Sequence, residues 1–70
     1  MRYDQAREVL TQVLAEHPLN RSSLLLLGEV ERERRDFPAA AKALRRVIEL
    51  RANDQLAQSA RALLNDLPGN

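Results

Sequence analysis

Apolar residues fall at helical spacing in four blocks, with proline, asparagine and aspartate between the blocks. In the first block, Tyr3, Ala6, Val9, Leu10, Val13 and Leu14 stand at i, i+3, i+7 and i+10 or beside those positions. That spacing predicts one face of an α-helix over residues 3–16. Pro18 stops the helix, because the residue before a proline is driven out of the α region. Asn20 is placed to cap a second helix by accepting from a first-turn N–H. This helix runs to about Arg34, with Leu24, Leu27 and Val30 inward and Gly28 leaving a gap. The third helix begins near Pro38, a residue suited to a first helical position, with Asp36 or Phe37 before it. Its buried face is Ala40, Leu44, Val47 and Ile48. Asn53 or Asp54 caps a fourth helix, which Pro68 and Gly69 end. No segment alternates as a strand would. The pattern predicts an all-α chain of four helices packed as antiparallel hairpins.

The pattern also repeats. The chain has two aromatic residues, Tyr3 and Phe37, and they stand 34 positions apart. At the same step Ala6 returns as Ala40, Leu10 as Leu44, Val13 as Val47, and Leu14 as Ile48. Thirty-four residues is the length of one two-helix solenoid unit. Such units stack, because one hairpin alone cannot bury its apolar face.

Leu24, the Leu27-Gly28 pair, Phe37, Ala40, Leu44 and Val47 together resemble the tetratricopeptide repeat. Tyr3, Ala6, Leu10, Val13 and Pro18 resemble the second half of a preceding unit. The resemblance implies a short α-solenoid: residues 1–20 as the second helix of a partial repeat, 21–54 as one complete repeat, and 55–67 as a C-terminal capping helix. The chain is then expected to be the C-terminal segment of a longer array. In this register Gly28 and Ala40 are small because the helices of one hairpin touch there, the aromatic plugs the space beside the turn, and Leu10 and Leu44 reach the neighbouring hairpin. Three positions depart from the family pattern. Glu31 stands where a tyrosine is usual, Ala52 replaces the closing proline, and Arg35 stands where glycine takes a left-handed turn. A left-handed conformation costs a non-glycine residue about 1 kcal/mol.

Repeats of this family bind extended peptides or helices in a concave groove lined by the first helix of each pair. By that resemblance the groove positions are Ser22, Leu25, Leu26, Glu29, Arg32 and Glu33, then Leu56, Ser59, Leu63 and Asp66. Four successive leucines, Leu24–Leu27, run round the whole helix, so one or two must point away from the hairpin core. They contact either a bound peptide or the adjacent helix. Some members grip a partner's terminal carboxylates with basic groove residues. Glu29, Glu33 and Asp66 against Arg32 alone do not fit that scheme. At the C-terminal end, Gln58, Arg61 and Asn65 give the fourth helix the polar outer face a terminal unit needs. The first helix lacks the partner that would cover Tyr3, Ala6 and Leu10. An alternative function follows, self-association of two copies through those residues.

Charge and composition narrow the chemistry further. The 70 residues allow one small domain with a thin core. Eleven basic and ten acidic side chains leave a net charge of +1, which calls for neither nucleic acid nor a membrane surface. Arg32, Arg34, Arg35, Arg45 and Arg46 suggest a nucleic-acid surface, but Glu29, Glu31, Glu33 and Asp36 are interleaved among them, and Glu29–Arg32 and Glu31–Arg35 have ion-pair spacing on a solvated helix. There is no cysteine, and His17 is the only histidine. Glycines are too few for a phosphate-binding loop, and no nucleophile motif is present. The expectation is a non-catalytic protein without cofactor or metal, whose partner is a protein or peptide. No signal peptide or membrane-spanning run is visible, so the chain is expected to be soluble, with no compartment indicated.

Overall fold

Proline and short polar side chains divide the chain into helices at the expected places. The computed structural model describes residues 2–68. It contains α1 (Tyr3–Glu16), α2 (Arg21–Glu33), α3 (Phe37–Leu50) and α4 (Gln55–Asp66). Among the described residues there is no strand. His17, before Pro18, leaves helical geometry at φ −132°, ψ 71°. Asn20, Asp36 and Asp54 each accept from the backbone N–H three residues on, capping α2, α3 and α4. Leu67 lies just beyond α4 with extended backbone, as a residue before proline must.

The α2–α3 turn is tight because its residues do double work. Arg35 takes φ 65°, the left-handed conformation expected from its alignment with a glycine position. Its N–H bonds the Arg32 carbonyl at 3.0 Å, and the Asp36 N–H bonds the Glu31 carbonyl at 2.9 Å. These two bonds are a complete Schellman closure of α2. Asp36 then caps α3 through Ala39 N at 3.2 Å. One residue thus ends one helix and opens the next.

The core lies where α2, α3 and α4 meet. Leu24, Ala40, Ala41, Leu44, Val47, Ala60 and Leu67 form one buried cluster, and Leu25, Phe37, Ile48, Leu56 and Leu63 pack against it half-buried. Leu44 packs closely over Gly28. A Cβ on Gly28 would fall 2.5 Å from Leu44 Cδ2 and 2.6 Å from its Cγ, closer than real carbon contacts allow. Leu44 was expected to reach the neighbouring hairpin. It shares the buried cluster with Ala60 and Leu67 beyond its own hairpin, and it also fills the socket that the missing side chain of Gly28 opens.

Helix α1 packs on α2 alone, whereas α3 is sandwiched between α2 and α4. The repeat shows the consequence. Ala40, Leu44 and Val47 are fully buried, but Ala6, Leu10 and Val13 are only half-buried. Val9 is 58% exposed while its counterpart Ala43 is 5% exposed. Similar residues at the same register differ in burial because one helix lies between two partners and the other has only one.

Gly28→Ala tests the socket. Alanine favours a helix interior by up to about 1 kcal/mol, but overpacking costs about 1–3 kcal/mol. The variant is expected to be less stable in urea unfolding, and adding Leu44→Val should recover part of the loss. Two independent, additive losses would show that Leu44 does not fill the space at Gly28.

Candidate protein-interaction surface

Helical geometry separates the expected groove residues from the core. Leu24, Gly28 and Glu31 form the buried stripe of α2. Ser22, Leu26, Glu29 and Glu33 lie on the opposite side of the turn. Ser22, Leu26 and Glu33 are exposed, and Glu29 is half-buried. Leu25 and Arg32 are half-buried, as are Leu56 and Leu63 of α4, while Ser59 and Asp66 are exposed. Leu25, Leu56 and Leu63 pack against the core, so they form the floor of this face. Leu26, 49% exposed, is its one large open apolar side chain. The two alternatives for the leucine run therefore divide between neighbours: Leu25 packs inward, and Leu26 stands free.

Besides this apolar packing, α2 is tied to the α3–α4 corner by Arg21, a residue the sequence pattern did not single out. Its Nε donates to the Val47 carbonyl at 3.0 Å and one terminal nitrogen to the Arg51 carbonyl at 2.8 Å. Both terminal nitrogens also donate to the Asp54 carboxylate, one of them to Oδ1 at 2.7 Å. The fork thus satisfies carbonyls at the end of α3 and grips the cap of α4. Arg21 opens α2, the helix end where a cation is disfavoured. That misplacement was the signal available in the sequence. The bond from Arg21, helped by the Ala57 N–H and opposed by desolvation, holds the Asp54 carboxyl well below the usual carboxylate range. The bond to Asp54 in turn raises the Arg21 guanidinium.

A second ionic cluster joins α1 to α2. Glu31 is buried, 4% exposed, and sits on the core stripe. It accepts from Arg7 Nε of α1 at 3.2 Å and from Arg34 at 2.5 Å. Arg34 also donates to Asp4 at 2.8 Å. Its hydrogen bonds to Asp4 and then to Glu31 raise its pKa. The pairing Glu31–Arg35 expected from spacing does not form, because Arg35 occupies the left-handed turn and Arg34 takes its place. Arg32 pairs with adjacent Glu33 at 3.3 Å rather than with Glu29.

On the reverse side α1 and α3 do not touch, and α2 floors the gap between them. The gap is a groove of about 640 Å³. Leu24, Leu27 and Glu31 of α2 form its floor, Leu14 and Pro18 the wall at α1, and Ala39, Lys42, Ala43, Arg45, Arg46 and Glu49 its α3 wall. None of the expected groove residues lines it. Tyr3, Ala6 and Leu10 lie half-buried on α1, outside both faces. Among the described residues no group of three or more His, Cys, Asp or Glu could hold a metal ion, and no helix is long and apolar enough to cross a membrane.

Compared with family models, residues 2–57 match that of the tetratricopeptide repeat. No curated protein and no solved structure matches the chain.

Asp54→Asn separates the charge of the clamp from the cap, since asparagine caps a helix about as well as aspartate. A depressed folded pKa adds stability above the unfolded value, about 3.9, and that stability is lost as pH falls through the folded value. Wild type is expected to exceed the variant in stability at neutral pH, with the gap closing below about pH 4. Urea unfolding across pH measures this. A gap constant with pH would mean the Asp54 charge contributes nothing.

Proposed function

Because the chain belongs to the tetratricopeptide repeat family, whose repeats generally mediate protein–protein interaction through a non-catalytic scaffold, we propose that its concave α2–α4 face binds an apolar stretch of a partner protein, presented as an extended peptide or a helix. The observation that carries this reading is Leu26. It is 49% exposed on a stripe that is otherwise polar. Beside it, Leu25, Leu56 and Leu63 give a half-buried apolar floor. Ser22, Glu29, Arg32 and Ser59 surround that floor with hydrogen-bonding groups, the rim arrangement of protein interfaces. The test is selection of peptides from a random displayed library against the chain, followed by affinity measurement. Leu26→Asp is expected to weaken the selected peptides at least about tenfold, as loss of a central anchor does. Its circular dichroism should stay helical, because Leu26 is half open to solvent. Unchanged affinity would move the site off this face.

A second reading, self-association through α1, rests on the 58% exposure of Val9 where its repeat counterpart Ala43 is 5% exposed. Two copies meeting at Tyr3, Ala6, Val9 and Leu10 would bury the same patch twice. Sedimentation at about tens of micromolar is expected to show a dimer that Val9→Glu abolishes, since mass action favours association there. A monomer throughout that range would end this reading.

A further inference from the structure

The reverse groove is separate from the face just discussed and has a different chemistry. Its floor, Leu24 and Leu27, and its α1 wall at Leu14 are apolar, and its two lining carboxylates are already engaged, Glu31 by Arg7 and Arg34 and Glu49 by Arg46. Its α3 wall carries two exposed cations, Lys42 and Arg45, that have no ion-pair partner among the described residues. Cations are confined to one wall, and one turn of α3 separates them. Side chains at i and i+3 stand about 5–6 Å apart on a helix. Alternate residues of an extended strand stand roughly 6.6 Å apart and point to one side, with the intervening residues on the other. The volume, about 640 Å³, suits a short peptide stretch rather than a whole helix. The geometry points to a second docking site, on the convex side, for an extended acidic–apolar segment of a partner protein. Its carboxylates face Lys42 and Arg45, and its alternate apolar side chains fill the floor.

The probe is a fluorescein-labelled peptide of about six residues alternating leucine and glutamate, with the glutamates about 6.6 Å apart when extended, and a control with lysine for every glutamate. Anisotropy titration of the whole chain is expected to show binding of the glutamate peptide at least about tenfold tighter than the lysine peptide, weakening as sodium chloride rises from about 50 to about 300 mM. The double variant Lys42→Glu, Arg45→Glu should reverse the preference and, both residues being exposed, remain helical by circular dichroism. Leu26→Asp should leave this binding unchanged, which separates it from the concave face. Amide chemical shifts should move at Leu27, Ala39 and Ala43. No binding of the glutamate peptide, equal binding of the two peptides, indifference to the double variant, or shifts centred on Ser22 and Ser59 would each overturn the proposal. Loss of the Ala43 signal on concentrating the chain without peptide would give the groove to a second copy and overturn it as well.

Discussion

The separation of α2 and α3 is set by a side chain that is absent. Gly28 has no Cβ, and the Leu44 side chain occupies the space one would take. The close approach then fixes what surrounds it. Alanine at positions 40, 41 and 43 keeps α3 low on its neighbours, and Ala57 and Ala60 do the same for α4. A core built from small residues and two or three leucines gains its stability from proximity rather than from bulk. That suits a body measuring 30 × 29 × 16 Å across its Cα atoms, in which every helix keeps a solvent side.

Such a thin core leaves the ends of the helices to be tied by charge. Arg21 and Asp54 fasten α2 to the α3–α4 corner, and Glu31 fastens α2 to α1. The two fasteners differ in kind. Asp54 keeps 30% of its side chain in solvent and Glu31 keeps 5%. Ionic strength and pH therefore reach the first directly. The second is shielded, and removing Arg7 or Arg34 would leave a buried carboxylate short of partners, a costly state.

Much of the helical frame was legible because it rests on local rules. The prolines, the caps and the 34-residue step placed all four helices, and the alignment of Arg35 with a glycine position indicated its backbone. Apolar spacing identified the core stripe of α2 but not the role of the charge on it. Glu31 continues the line of Leu24 and Gly28, and its salt bridge to Arg7 joins residues 24 positions apart. That pairing becomes visible only once α1 is docked. Arg21 is similar, since its partners lie 26 to 33 positions away. At the α2–α4 face, spacing found the stripe but could not rank Leu25 and Leu26. Their difference depends on the position of α4, which Arg21 helps to set. The reverse groove leaves no mark in the sequence for a related reason: it is the gap between two helices that do not touch, and no single helix carries its pattern.

The ionic clamp has a direction along the chain. Asn20 and Asp54 are caps 34 positions apart, and Arg21, directly after the first, reaches forward to the second. The residue directly after Asp54 is Gln55, which has no charge with which to reach forward in its turn. In a stacked array, order passes from unit to unit only as strongly as neighbours are coupled. Here α4 keeps its place through Ala60 and Leu67 in the core as well as through the Arg21–Asp54 bond, so salt reaches only the ionic part of its attachment, and the forward coupling that the clamp supplies stops at this helix.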